Sequence, residues 1–310
     1  MRLITYSSGP TGTPRLGVRV GHRVLDVESG SRVEGQPLPN TMRGLLREGR
    51  GAMSRVQALA KAAQNSAGRY AAAMLEERAI RFLPPVPDAD KFLCVGKNYR
   101  VHLEELKKHD LIKETPEEVT GFVKLNSCLV GHNAKVVRPA AVTHLDYEPE
   151  LVFVIGKRAL GVGADEDAMD YVAGVTVLND LTDRDMQKRE VASGSRFWTS
   201  KNAPGFGPLG PEIVTLDEIG DPYDLWMTCA VNGEERMRVN TGDQIWKMSD
   251  ILQHFSRYIP IEPGDMFSTG APGGVAVGKP NAPDLFLKPG DVVECSIEGF
   301  TTLRTTIVAP

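Results

Sequence analysis

Alternating runs of hydrophobic and polar residues open the chain and predict short strands. Residues 2–7 (RLITYS) alternate, and residues 16–27 (LGVRVGHRVLDV) do so around Gly21 and His22, which is a typical hairpin signal. Residues 52–80 are rich in alanine and other helix formers, and this composition predicts a helix or a pair of helices. We therefore expect a small α+β unit at the start of the chain.

A cluster of three prolines in residues 83–90 cannot continue a helix and is the best candidate for a domain boundary. We therefore expect a small N-terminal domain over residues 1–85 and a main domain over residues 86–310. In the main domain, short hydrophobic runs typical of strands are separated by clusters of glycine and proline. Helical periodicity is confined to a few segments, namely residues 101–109, 166–172, 183–190 and 247–258.

The order of these runs bears on the fold class. Strands and helices do not alternate regularly, which argues against a doubly wound parallel sheet. The many proline and glycine turns after residue 260 favour a compact, rolled or barrel-like sheet. The sequence thus predicts a β-rich α+β protein.

Composition excludes several classes of partner. The 310 residues include 41% hydrophobic and 25% charged side chains, as in ordinary globular proteins, and the net charge is −4. A chain without a positive field is not expected to bind nucleic acid or anionic lipid. It has no apolar run of about 20 residues and no signal-peptide pattern at its start, so we expect no membrane span and a cytoplasmic location. The four cysteines lack metal or redox spacing and are expected to be reduced and buried.

Two glutamates stand two residues apart at the head of a strongly hydrophobic run, DYEPELVFVIG. Because side chains alternate along a strand, Glu148 and Glu150 share one face. Two neighbouring carboxylates repel each other unless a cation lies between them, and oxygen ligands suit Mg²⁺ or Mn²⁺. A solvated strand end without a metal is the alternative that this motif alone leaves open.

A third carboxylate follows the next hydrophobic run, GVTVLN. Asp180 at its end is placed to complete a three-carboxylate set, whereas Asp183 is the candidate N-cap of the following helix. In that helix Arg184 and Gln187 share a face at i, i+3 spacing. This face either points into a site or is a solvated helix surface.

Other candidates are less specific. His102 and Glu105 can meet in a helix, where the carboxylate would orient the imidazole as a general base, although such a pair is often only a surface contact. The glycine-rich segment STGAPGGVAVGK lacks nucleotide-loop spacing, and its glycines would instead let the backbone approach a small anion, with Thr269 as donor. Lys201 is a further candidate, because its ammonium group could point into the site. The alternative is an ordinary lysine exposed to solvent. Zinc is disfavoured because no HExxH spacing occurs.

Taken in order, these segments resemble the fumarylacetoacetate hydrolase family. The combination of ExE, NDxxxRDxQ and STGxPxGV is specific, and the resemblance covers about residues 90–310. The matching segments are FLCVGKNYRVHLEE, FVKLNS, DYEPELVFVIGK, GVTVLNDLTDRDMQ, TSKNAPGFGPLGP, VNGEER, EPGDMFSTGAPGGV and KPGDVVECSIEGFTTLRTTIV. Residues 1–85 are similar, more weakly, to the smaller N-terminal domain of many bacterial members. The resemblance implies a mixed β-sheet roll, a homodimer and bound Mg²⁺ or Mn²⁺.

The resemblance also implies roles for individual residues. By matched position, the metal ligands would be Glu148, Glu150 and Asp180. His102 and Glu105 match the catalytic dyad of the hydrolytic members, carried on a segment that closes over the substrate.

A second set of positions matches residues around the substrate. Lys201, Gln187 and Thr269 match positions that hold the substrate's acid end or its developing charge. Arg184 matches an arginine with a less defined contact, and Lys124 matches a lysine near the site. Two departures alter the expected pocket wall: TSKNAPGF where many members have GKSFDTF, and Arg100 where a small residue is common.

The family resemblance implies metal-assisted hydrolysis of a C–C bond in a β-diketo acid of the acylpyruvate or fumarylpyruvate type. The same enolate-stabilising site also suits tautomerisation, decarboxylation, hydration or lyase chemistry on a related 2-oxo acid, because the fold does not choose between them. A metal-free binding or structural domain is a third alternative, and the intact set of acidic residues argues against it. In each enzymatic case the expected partner is a small 2-oxo acid.

Overall fold

The computed structural model describes residues 1–9, 11–108, 117–195 and 197–310. Most of the regular structure in these ranges is β-strand. The strands are β1 (Arg2–Ser7), β2 (Arg15–Val20), β3 (Arg23–Asp26), β4 (Met74–Glu76), β5 (Arg81–Phe82), β6 (Phe92–Val95), β7 (Gly121–Val123), β8 (Leu129–Val130), β9 (Ala134–Val137), β10 (Leu145–Asp146), β11 (Pro149–Ile155), β12 (Val172–Asn179), β13 (Thr182–Asp183), β14 (Gly207–Thr215), β15 (Trp226–Val231), β16 (Glu234–Asn240), β17 (Met266–Ser268), β18 (Val292–Ile297) and β19 (Thr301–Val308).

The described ranges contain fewer helices than strands. They are α1 (Val27–Val33), α2 (Met42–Glu48), α3 (Arg50–Asn65), α4 (Arg100–Lys108), α5 (Arg184–Ala192), α6 (Leu216–Ile219), α7 (Met248–Ser256) and α8 (Ala282–Leu285). Three of the four helical segments expected in the main domain form α4, α5 and α7, and the fourth is a 3₁₀ turn at Ala168–Tyr171. The last residue of the predicted segment 101–109 lies outside the described residues. No helix in the described ranges is long and apolar enough to cross a membrane.

The strands of the described residues form two sheets and a short two-stranded ribbon. The larger sheet runs β4-β3-β2-β1-β14-β12-β11-β17-β6-β7, with β5 paired to β1 and β8 paired to β14. The smaller sheet runs β16-β15-β18-β19-β9, and β10 pairs with β13. Most neighbours are antiparallel, but β17–β6, β14–β8 and β19–β9 are parallel. The predicted mixed, β-rich architecture is therefore confirmed.

Strand β11 is buried on both faces, as its unbroken hydrophobic run predicts. Leu151, Phe153 and Ile155 belong to the core between the two sheets. Val152 and Val154 point the other way, into a second core that residues of α2 and α3 complete. A strand covered on both sides has little freedom to slip in register, because a shift by one residue would exchange the two faces. The residues at its head are thereby held in place.

The N-terminal hairpin forms as predicted, with β2 and β3 antiparallel around Gly21 and His22. The prediction of helix over residues 52–80 is wrong beyond Asn65, where α3 ends. Residues 74–76 instead form β4 along the edge of β3. Backbone pairing at this open edge outweighs the helix propensity of the alanines, which is a modest preference per residue.

The N-terminal segment, residues 1–85, also contributes strands to the larger sheet. Strand β1 pairs with β14 through Arg2 with Val214 and Leu3 with Ile213. Residues 1–85 and the rest of the chain thus share one continuous sheet and one of its cores. The division at residue 85 stays a prediction.

Candidate metal centre and active site

The three carboxylates that the sequence singled out meet at the junction of β11 and β12. Pro149 is opposite Asn179 in the register, so Glu148 and Asp180 lie beside each other just outside the paired residues, and the Asp180 N–H donates to the Glu148 carbonyl at 2.8 Å. Oxygen atoms of Glu148, Glu150 and Asp180 all lie within 4.8 Å of one another, and all three side chains are buried.

Two buried lysines contact this acidic cluster. Lys201 Nζ donates to Asp180 Oδ2 at 2.6 Å and also to Glu148. Lys124 Nζ donates to Asp180 Oδ1 at 2.6 Å and to the Phe206 carbonyl at 2.9 Å. Both oxygens of Asp180 are therefore bonded to ammonium groups. Lys201 thus points into the site and is not an exposed surface lysine. Lys124 Nζ also donates to the Lys201 carbonyl.

Arg184 is the third cation of the site, at the start of α5. Its Nη2 lies 2.6 Å from Glu148 Oε1, and its Nη1 donates to Gln187 Oε1 at 2.9 Å. Arg184 is buried, so of the two alternatives for this helix face the structure has the inward one. Asp183 caps the helix as predicted, because its Oδ1 accepts from the N–H groups of the next turn.

Asp146 is a site residue that the sequence analysis missed. Fully buried, it accepts from Arg184 Nε at 2.8 Å and from the N–H groups of Ala276 and Val277 at 3.0 Å. It thereby ties the arginine to the glycine-rich segment. Its position two residues before Glu148, on the same alternating face, was the signal that could have identified it.

The electrostatics of the cluster favour an additional cation. Burial raises the pKa of Glu148, but Lys201 and Arg184 outweigh burial and bring its pKa down to about 2. Burial, reinforced by the Asp180 and Glu148 charges, raises the pKa of Glu150 well above its usual value despite Lys201. A divalent cation among these oxygens would relieve the unfavourable charge at Glu150. The all-oxygen donor set therefore fits Mg²⁺ or Mn²⁺.

The predicted dyad is formed on α4. His102 Nδ1 lies 3.4 Å from Glu105 Oε2, and the imidazole is buried. The other carboxylate oxygen of Glu105 accepts from the Gly274 N–H at 2.9 Å. A Cβ at Gly278 would lie only 2.9 Å from Glu105 Oε2. Glycines of this segment thus make room for the Glu105 carboxylate, a use that the sequence analysis did not foresee.

A cavity of about 500 Å³ opens over the cluster. Its wall includes six of the predicted site residues: His102, Glu148, Glu150, Arg184, Gln187 and Lys201. Glu105, Lys124 and Asp180 are not among the residues that line it. Thr269 is also absent from it, because the buried Thr269 hydroxyl donates to the Leu151 carbonyl at 3.1 Å and lies 3.2 Å from the Tyr99 hydroxyl. A substrate contact for Thr269 stays a prediction.

The chain is similar to known proteins over almost its whole length. Residues 91–308 match the family model described as fumarylacetoacetate (FAA) hydrolase, C-terminal. The chain belongs to this family. Across 310 residues it is 35% identical to the human protein named oxaloacetate tautomerase FAHD2A, mitochondrial, covering 99% of this chain and 92% of the relative. The family membership and the fold implied by the sequence motifs are thus confirmed.

Two solved structures show the same fold over the whole chain. Fumarylacetoacetate hydrolase from Exiguobacterium antarcticum aligns with a TM-score of 0.74 and 28% identity, covering 100% of both chains. Maleylpyruvate hydrolase from Sphingobium sp. SYK-6, solved with manganese(II) and pyruvate, aligns with a TM-score of 0.74 and 26% identity, covering 100% of this chain and 99% of that one. Members of the family therefore differ in the reaction named for them, and hydrolysis by this chain stays a prediction.

Proposed function

We propose that this protein is a divalent-metal-dependent enzyme that interconverts the keto and enol forms of a 2-oxo acid. The observation that carries the proposal is the meeting of His102 and Lys201 with two acids of the candidate metal centre in one cavity wall. The nearly full-length similarity to an oxaloacetate tautomerase supports this choice among the family's reactions. Mg²⁺ or Mn²⁺ held by Glu148, Glu150 and Asp180 would supply Lewis-acid stabilisation of negative charge on oxygen.

The residues of the chain divide the remaining work. The His102 imidazole removes a proton from the carbon next to the oxo group, and Glu105 stabilises the imidazolium that forms. The electron pair moves onto the oxo oxygen, where the Lys201 ammonium stabilises the charge. The imidazolium gives its proton to that oxygen, which yields the enol and regenerates neutral His102, and the reverse sequence restores the ketone. Arg184 and Gln187 hold the substrate carboxylate at the wall.

Hydrolysis of a C–C bond in an acylpyruvate-like acid is the second candidate. It is favoured by the dyad, because His102 oriented by Glu105 is also placed to deprotonate water. Water would attack the distal carbonyl, the C–C bond would break, and the departing carbon fragment would leave as an enolate that takes up a proton. The two solved relatives named as hydrolases support this alternative.

Product analysis separates the two candidates. The purified protein is incubated with Mg²⁺ or Mn²⁺ and either an enol-form 2-oxo acid or an acylpyruvate, and products are identified by NMR. Accelerated loss of the enol without fragments supports tautomerisation, whereas two carbon fragments show hydrolysis. Release of CO₂ or addition of water without cleavage would instead indicate a decarboxylase or a hydratase. An absence of turnover with every acid and both metals would contradict the proposed function.

We further propose that the protein is a homodimer, as the family resemblance implies. Light scattering coupled to gel filtration measures the mass in solution. A mass equal to one 33.8 kDa chain would contradict the dimer.

A further inference from the structure

Two phenylalanines form an aromatic part of the cavity wall beside Lys201. The rings of Phe122 and Phe197 pack edge to face, with centroids 5.3 Å apart and planes at 89°. Lys201 Nζ lies 5.4 Å from the Phe122 centroid and 6.0 Å from the Phe197 centroid. Since Lys201 is assigned to the developing charge, the rings adjoin the place where the reacting end of the substrate binds.

The rest of the wall extends this apolar surface. It includes further small and aliphatic side chains: Val95, Val191, Ala192 and Ala271. The volume of about 500 Å³ falls in the range of roughly 300–1,000 Å³ that holds drug-sized ligands. A four-carbon dicarboxylic acid would leave much of this apolar space unfilled.

The backbone at Phe197 is in an unusual conformation. Its φ of 50° lies in the left-handed region, which is unfavourable for a bulky residue. Such conformations cluster at functional sites, where surrounding contacts hold them in place. Phe197 lies in the cavity wall, whereas the next residue, Trp198, is 55% exposed. The strained residue is therefore the one whose ring borders the cavity.

The main competing substrate class is a 2-oxo acid with a second carboxylate. Lys97 and Lys188 also belong to the cavity wall and would favour such a group. Arg184 is less suited to a distal carboxylate, because the proposed function already assigns it, with Gln187, to the carboxylate next to the oxo group. The aromatic pair lies next to Lys201, so the group attached nearest the reacting carbon meets the rings.

We infer that Phe122 and Phe197 select 2-oxo acids whose arm beyond the reacting carbon is apolar, either aryl or hydrocarbon, over those that carry a second carboxylate there. The inference rests on the proposed function, since it assigns the substrate class of the same site. It applies to both candidate reactions, because the arm is retained in the enol and in a cleavable acylpyruvate.

The test compares keto–enol conversion of phenylpyruvate with that of oxaloacetate at saturating Mg²⁺. The wild-type protein is expected to favour phenylpyruvate in kcat/KM. Phe197→Gly and Phe122→Leu should each lower this preference by about tenfold or more, the usual effect of losing a fitting apolar contact, chiefly through a higher KM for phenylpyruvate. Glycine readily adopts the observed φ, so Phe197→Gly is expected to fold, which circular dichroism verifies.

Trp198→Leu is the matched control, since it removes the neighbouring exposed aromatic ring and should leave the preference unchanged. A wild-type preference for oxaloacetate, or an unchanged preference in both folded phenylalanine variants, would overturn the inference. If the protein converts oxaloacetate but not phenylpyruvate, the inference is overturned and the proposed function still holds. Failure to convert either acid would count against the proposed function itself.

Discussion

Lys201 Nζ donates to Asp180 Oδ2 at 2.6 Å, so the lysine expected to stabilise substrate charge is hydrogen-bonded to a candidate metal ligand. The same ammonium group contacts Glu148. A metal ion held by these carboxylates would therefore compete with Lys201 for the same oxygens, because neighbouring like charges repel each other. Metal affinity and substrate stabilisation are thus expected to respond in opposite directions to the loss of this lysine.

Lys201→Met should bind Mn²⁺ more tightly than the wild type while kcat falls by about 10²–10³-fold, the usual cost of removing one group that stabilises developing charge. Calorimetric titration with Mn²⁺ and steady-state kinetics measure the two effects. Lys135→Met, at an exposed lysine on β9, is the control and should change neither. Weaker Mn²⁺ binding by Lys201→Met would show instead that the lysine supports the metal site.

Glu150→Gln should abolish stabilisation by Mg²⁺ or Mn²⁺, because it removes one of three carboxylate ligands. For the wild-type protein, metal at 100 times its Kd should stabilise the folded state by about 2.7 kcal/mol, and EDTA should reverse the effect. Differential scanning fluorimetry with increasing metal concentrations measures the shift in Tm. Glu234→Gln, at a side chain that is 69% exposed, should keep the wild-type shift. An equal shift in both variants would exclude Glu150 as a ligand.

His102→Ala should reduce kcat by about 10²–10⁴-fold, the usual contribution of a general acid or base. Its metal-dependent Tm shift should persist, since the imidazole is not one of the three ligands. Glu105→Gln should also slow the reaction, because it no longer stabilises the imidazolium. Glu104→Gln removes the exposed neighbouring carboxylate and serves as control. Undiminished turnover by His102→Ala would eliminate the dyad from the mechanism.

His132 should make the fold sensitive to mild acid. Burial, together with Arg19 and Arg304, lowers the pKa of His132 to about 4, and its Nδ1 accepts from the Arg304 N–H at 3.1 Å. In the unfolded chain the His132 imidazole takes up a proton below about pH 6.5, whereas in the folded chain it does so only below about pH 4. Stability is therefore lost as the pH falls from about 6.5 to 4, by about 1–2 kcal/mol after allowance for solvent screening at this partly exposed site.

Urea denaturation at intervals between pH 7 and pH 4 measures this loss. His132→Gln should flatten the pH dependence, because glutamine does not titrate. His22→Gln, at an exposed histidine of the hairpin turn, should retain the wild-type slope. If His132→Gln loses stability as steeply as the wild type, another group is responsible.

The sequence allowed the three carboxylates to be predicted because local rules determine their placement. Side-chain alternation puts Glu148 and Glu150 on one face, and Asp180 directly follows β12, the strand that pairs with β11. The dyad likewise follows from helical spacing. These parts of the site depend on a few residues along the chain and on the pairing of adjacent strands.

The remaining features depend on contacts between distant segments, which no local pattern contains. The bonds from Lys124 and Lys201 to Asp180 require long, flexible side chains to be oriented by the burial around them. The strand at residues 74–76 forms because the edge of β3 is available, although its alanine-rich surroundings favour a helix. Tertiary packing decides both cases.

The pairing of β1 with β14 has a consequence for how the chain can be shortened. A protein beginning at residue 86 would lose β1, β2 and β3 and leave the β14 edge, around Ile213 and Val214, without a partner. It would also uncover the hydrophobic surface that α2 and α3 bury. An open strand edge beside an exposed apolar surface is a template for aggregation. The N-terminal segment therefore shields residues 86–310 from aggregation, even though none of its described residues belongs to the cavity wall.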